Sequence, residues 1–188
     1  MLLPPVVVPR TGATLARMGQ RTDLFELGRL GLHSGEGRRL DLETRIEPFE
    51  FGGEHYEARP ARVPVALDVS RTGAGFSLRL RFDAGLSGPC ARCLEDADRG
   101  VRVDAREVDQ PGGGEELQSP YVRDDTLDLR AWARDALVLA LPEQIVCTDD
   151  CRGLCPECGE NLNEAGEQHE HERPPDPRFA KLSELKLE

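Results

Sequence analysis

Six cysteines and two late histidines constrain this chain more than any other feature. Cys90-Ala91-Arg92-Cys93 makes one pair, and Cys147, Cys151, Cys155 and Cys158 follow at spacers of three, three and two, before His169 and His171. From Cys147 onward the composition turns to Cys, Gly, Glu, His and Pro. Such a stretch has no apolar core of its own, and a bound metal is what orders it. Zinc takes four thiolate or imidazole ligands in a tetrahedron, and a two-residue spacer lets one turn present two thiolates to the same ion. Pro156 and Gly159 around the last pair suit such a turn. Eight ligands make two closed sites, so the expected cofactor is one or two structural zinc ions.

Two pairings are open. In the first, Cys90 and Cys93 join Cys147 and Cys151, and Cys155 and Cys158 join His169 and His171. In the second, the four later cysteines form one all-thiolate site, which leaves the early pair to the histidines or empty. The first is preferred, because three-residue spacers are unusual within one knuckle and because that site clamps the tail onto the body. His169-Glu170-His171-Glu172 also reads as a solvated charged run. The preference for metal over disulfides presumes a reducing compartment, and the cytoplasm is expected. Met1–Pro9 is interrupted by prolines and lacks a preceding charge and a cleavage site, so it does not read as a secretory signal. Residues 1–22 are expected to form a flexible arm, with Met18 an alternative start.

The body, 23–146, reads as α+β. Val63, Val65, Leu67 and Val69 alternate with polar residues, and Phe76, Leu78, Leu80 and Phe82 repeat the pattern across the turn residues of Ser70 to Gly75. Period-2 alternation on both sides of a turn is an antiparallel hairpin. Further strands are expected around Leu40–Ile46, from about Leu86 into Cys90, and from Val101 to Val108. Glu50–Pro60 is expected as a loop, and Pro64 marks an edge strand or a bulge. Leu129, Trp132, Ala133, Ala136, Leu137, Ala140 and Leu141 then fall at helical spacing, with Asp128 as N-cap and Pro142 as the stop. The expected architecture is an antiparallel β-rich body, a sheet or partly open barrel, with one main helix near 128–141. A zinc-stapled tail over 147–188 completes it.

Several functions are disfavoured on the same residues. No apolar run approaches the roughly 20 residues of a membrane-spanning helix. The net charge of −11, from 24 Lys and Arg against 35 Asp and Glu, opposes a general phosphate-binding coat. A DNA-binding zinc module needs a basic helix, whereas Arg130 and Arg134 are offset by Asp128 and Asp135. Cys90-x-x-Cys93 has the spacing of a thiol–disulfide motif, but it follows a strand rather than opening a helix. His55-Tyr56-Glu57 with Pro89-Cys90-x-x-Cys93 matches the outline of zinc deaminases, yet without the helices that carry it. No phosphate loop or nucleophile elbow appears. The expectation is that the protein is not an enzyme. The alternatives are a zinc-dependent or redox enzyme using Cys90 and Cys93, and a zinc adaptor unrelated to ribosomes.

Larger strings carry a resemblance. Cys90-Ala-Arg-Cys93-Leu94-Glu95, Leu127-Asp128-Leu129 leading a helix into Leu139-Ala140-Leu141-Pro142, and Cys147-x3-Cys151-Arg-Gly153-Leu154-Cys155-Pro-Glu-Cys158-Gly159 are among them. With Asn161-Leu-Asn163 and Asp176-Pro177-Arg178, they resemble the YceD family of large ribosomal RNA subunit accumulation proteins, from about Asp23 to Leu187. The resemblance implies a non-enzymatic bacterial factor needed for 23S rRNA to accumulate. It implies as partners a large-subunit precursor, 23S rRNA or a large-subunit ribosomal protein, with no membrane and no DNA. Many relatives carry cysteines near the positions of His169 and His171, which supports a ligand role for both histidines. Within this reading, Arg92 and Arg152 beside the thiolates are candidates for RNA contact, or simply offset thiolate charge.

Overall fold

The computed structural model describes residues 20–166 and 169–171. Most of the expected arm, and the Asp176-Pro177-Arg178 string with the Leu-rich end, lie outside them. Pairing begins at β1 (Gln20–Arg21), which runs parallel to β3 (Gly37–Arg45). All other pairings are antiparallel. The sheet continues from β3 to β6 (Arg62–Arg71) and then to β7 (Phe76–Pro89). The alternating apolar residues of β6 and β7 face one side: Val63, Val65, Leu67 and Val69 are buried, as are Phe76, Leu78, Leu80 and Phe82. The opposite face carries Arg–Asp pairs across neighbouring strands, Arg79–Asp104 and Arg81–Asp68.

β7 organises the sheet. One edge pairs along its full length with β8 (Asp96–Asp109). The other edge takes β6 over Phe76–Arg81 and then β5 (Glu54–Arg59) over Gly85–Ser87. Arg59 faces Gly85 and Ala66 faces Arg81, so six residues across the β5–β6 junction lie opposite three of β7. Pro64 falls inside this wide bulge, opposite Glu43 of β3, where its missing N–H interrupts no ladder on the β7 side.

Two expectations are corrected. Glu50–Pro60 is not a loop: β4 (Phe49–Phe51) and β5 form a hairpin whose turn is Gly52-Gly53, both at positive φ. Short strands of three and six residues with charged outward positions give little period-2 signal, and only the glycines were conspicuous. His55 therefore lies on β5. The separate strand expected from Leu86 is the second half of β7. Gly88 interrupts its apolar alternation but not its pairing. At Gly88 a Cβ would lie 2.1 Å from the Tyr56 ring, so only glycine lets that ring cross the strand. The Tyr56 hydroxyl then donates to the Pro89 carbonyl at 2.9 Å.

A small sheet of β2 (Leu24–Glu26), β10 (Thr126–Asp128) and β9 (Val122–Arg123) leads into α1 (Leu129–Leu139). The Asp128 side chain accepts from the Ala131 N–H at 2.9 Å, capping the first turn as expected. Leu129, Trp132, Ala133, Ala136 and Leu137 bury one stripe against β8, β3 and β2. Ile145 and Val146, just past the helix, are buried in the same core.

Because Leu67 is fully buried and Leu139 is 86% exposed, the two leucines should respond oppositely to truncation. Leu67→Ala is expected to cost about 2–5 kcal/mol, and Leu139→Ala less than about 0.5 kcal/mol, as read by urea unfolding.

Candidate metal centre

The first cysteine pair is the tip of the long β7–β8 hairpin. Pro89 pairs with Asp96, and the six residues between them form the turn. The Cys90 N–H donates to the Glu95 carbonyl at 2.7 Å, and the Leu94 N–H to the Cys90 carbonyl at 3.0 Å. The second tip has the same construction. Leu154 bridges to Asn161, the Cys155 N–H donates to the Glu160 carbonyl at 2.8 Å, and the Gly159 N–H to the Cys155 carbonyl at 2.8 Å. Leu94 and Gly159 thus hold equivalent positions, at φ 63° and 76°. Glycine takes this left-handed conformation freely, whereas for leucine it costs roughly 1–2 kcal/mol.

The two tips lie against each other and against the segment after α1. The Leu154 N–H donates to the Arg92 carbonyl at 3.1 Å, and the Ala91 N–H to the Ile145 carbonyl at 2.7 Å. Gly153 sits so close to Arg92 that a Cβ would meet its carbonyl at 3.0 Å.

These contacts gather the eight sequence-derived ligands into two sets. Cys90, Cys93, Cys147 and Cys151 form one, and Cys155, Cys158, His169 and His171 the other, with the ligand atoms of each set within 4.8 Å of one another. Cys90 and Cys151 have their Sγ atoms 3.8 Å apart, and Cys93 and Cys147 theirs 3.7 Å apart. Four thiolates at the usual Zn–S length of about 2.3 Å stand roughly 3.8 Å apart in a tetrahedron, so the first set is sized for zinc. In the second set the Cys158 Sγ lies 3.5 Å from His169 Nε2, and the two imidazole Nε2 atoms are 3.0 Å apart.

The surroundings favour ligation. Burial pushes the Cys90 thiol up, but the Cys93, Arg92 and Cys147 main chain outweighs it and holds the thiol down, at about 6. The N–H of Arg92 itself lies 3.4 Å from the Cys90 Sγ. Cys155 is lowered to about 6, first by the Cys158 main chain and then by His169. Burial pushes Cys93 up to about 12, and bonding to the neighbouring thiols adds to the rise. A set of four such thiols ionises together only around a cation.

Asn163, Glu157 and Glu160, which carry no site signal in the sequence, hold the ligands in place. Asn163 Nδ2 donates to the Cys151 Sγ at 3.4 Å, and bonding to Asn163 is the largest cause of that thiol's lowered pKa. The Glu160 carboxylate lies 3.1 Å from His169 Nδ1, and the Glu157 carboxylate 3.6 Å from His171 Nδ1. A carboxylate on Nδ1 leaves Nε2 to face the site, the arrangement that orients histidine ligands. In the sequence Glu157 and Glu160 were indistinguishable from the other acids of an acidic tail. The two candidate RNA-contact arginines are engaged locally. Arg92 donates to the carbonyls of Asp149 and Cys151 at 3.3 and 3.1 Å, and Arg152 to that of Gly166 at 3.3 Å.

Comparison with known proteins places the chain. The family of the large ribosomal RNA subunit accumulation protein YceD matches residues 78–186, a span that holds both candidate sites and the helix. An uncharacterised protein of Mycobacterium bovis is 37% identical over 189 aligned residues, covering 91% of this chain and 79% of that protein. An uncharacterised Mycobacterium leprae protein is 33% identical over 66% of this chain and 65% of its own. The uncharacterised protein YlbN of Bacillus subtilis is 26% identical, over 82% of this chain and 92% of its own. No solved structure matches. The protein belongs to the YceD family. Among the described residues no helix is long and apolar enough to cross a membrane.

If both sets hold metal, zinc-loaded protein should contain two ions per chain by elemental analysis. The first set is largely buried, whereas Cys158 is exposed. A chelator should therefore remove one ion quickly and the other at least tenfold more slowly, and His169→Ala should abolish only the fast phase. A single phase that His169→Ala leaves unchanged would contradict the two-site arrangement.

Proposed function

We propose that this protein is a non-enzymatic, cytoplasmic factor in large ribosomal subunit biogenesis that supports accumulation of 23S rRNA. In this reading it acts as a zinc-stapled binding module for a precursor particle. Family membership supports the process. The observation that carries the molecular role is the closure of both ligand sets: four protein donors each leave no coordination position for water or substrate, the mark of structural zinc. Zinc supplies cohesion here, tying hairpin tip, post-helix segment and second tip into one body that apolar burial alone does not hold.

Within that body the chain's own residues divide the work. The β7–β8 hairpin carries Cys90 and Cys93 out from the sheet, and α1 with Ile145 and Val146 fixes the strand-side start of the tail. Arg92 and Arg152 use donors on main-chain carbonyls, and we assign them first to holding the loops around the thiolates. With a net charge of −11, direct coating of RNA phosphates is disfavoured. Recognition of a protein of the precursor particle, with RNA touched only locally, fits the charge.

The test is depletion in native cells with cross-linked recovery of a tagged copy. The expected result is a drop in 23S relative to 16S rRNA, together with enrichment of 23S precursor and early large-subunit proteins on the tag. Recovery of no ribosomal material above an untagged control, with 23S levels unchanged, would overturn the reading. A Cys90→Ser, Cys155→Ser double variant is expected to restore 23S levels poorly.

A further inference from the structure

Leu94 stands where its counterpart is Gly159, and most of its side chain faces solvent. Its backbone is held in the left-handed region at φ 63°, and its side chain is 61% exposed. Both features are unfavourable for the isolated protein: one is conformational strain and the other is apolar surface in water. Strain of this kind persists where the side chain it presents is used.

Leu94 lines a depression of about 310 Å³ together with Phe51, Tyr56, Pro89 and Ile145, and Glu54 and Glu143 also line it. No Lys or Arg lines it. Glu95 and Asp96 follow Leu94 directly and are exposed. Cys90 also lines the depression, and the thiolate set to which it belongs carries a formal −2 when zinc-bound. An apolar floor inside an acidic rim calls for a cationic partner with an apolar anchor.

We infer that Leu94 and this depression form a docking site for an Arg/Lys-rich segment of a large-subunit ribosomal protein. An apolar side chain of that segment packs against Leu94 and Phe51, and its cations meet Glu54 and Glu143. Proteins that coat rRNA must be basic to neutralise phosphate, so an acidic site of this kind holds such a segment in the place RNA later takes. This rests on the proposed role in large-subunit biogenesis and names the surface and partner chemistry for it.

The probes are synthetic 20-residue peptides from the basic segments of large-subunit proteins of the same cells. Binding to zinc-loaded full-length protein is read by fluorescence anisotropy. At least one peptide is expected to bind, tenfold or more weakly to Leu94→Gly and severalfold more weakly to the Glu54→Gln, Glu143→Gln double variant. Leu94→Gly should keep its zinc content and unfold no earlier than the parent, because glycine relieves the strained position. Equal binding by parent and Leu94→Gly, or no binding by any peptide, would overturn the proposal. So would displacement of the peptide by one spanning residues 172–188, which would make the chain's own end the occupant. Sedimentation of tagged protein with large-subunit precursors separates the two readings. If parent and Leu94→Gly sediment alike with precursors, the docking site is wrong and the ribosomal role stands; if the parent does not sediment with them, the ribosomal role fails.

Discussion

The contact on which this structure turns is the seat of the β7–β8 hairpin tip against the chain that leaves α1. The Ala91 N–H on the Ile145 carbonyl, the Leu154 N–H on the Arg92 carbonyl, and the Arg92 guanidinium on the Asp149 and Cys151 carbonyls together set Cys90 and Cys93 opposite Cys147 and Cys151. The chain beyond Val146 is held through these contacts. That stretch has few apolar residues, and among its described residues only Cys151, Gly153 and Cys155 are buried. Hydrophobic burial, the main driving force of folding, ends at Val146. From there cohesion passes to thiols, main-chain hydrogen bonds and the cation that the thiols call for.

The long hairpin and the helix have different tasks in this arrangement. β7 pairs on both edges, and its buried face supplies much of the core, so its far end is a rigid arm for the first knuckle. α1 contributes an apolar stripe and a terminus, placing Ile145 and Val146 in the core. The second ligand set lies on the segment that follows both. That set is built on the first, through the Leu154 N–H to the Arg92 carbonyl and the close approach of Gly153. The order of dependence runs from sheet to first knuckle to second knuckle, and it matches the fall in burial from Cys90 to Cys158.

Function follows from what the two knuckles share and where they differ. The two tips share the pair of main-chain bonds that closes each turn, yet one places leucine where the other places glycine. Each ligand set has four protein donors, and the proposed binding role is therefore placed on the surface around them. The neighbourhood of Leu94 is the surface we propose for that role, and the chain's membership of the YceD family links it to large-subunit accumulation.

The sequence by itself determined the identity of the eight candidate ligands, the helix with its Asp128 cap and apolar stripe, and the alternating strands around Ser70–Gly75. These are local signals: a spacer, a 3.6-residue period and a 2-residue period survive without any knowledge of the fold. Tertiary structure alone decided that β5 and β6 share one edge of β7, since glycines and charged outward residues blur the pattern of short strands. It alone selected the grouping of the ligands, because which cysteines meet depends on where a hairpin tip and a helix end come together. It also singled out Glu157, Glu160 and Asn163 from an acidic tail, and Leu94 from many leucines. Such residues carry no periodic signature, and their roles exist only in relation to neighbours far away in the chain.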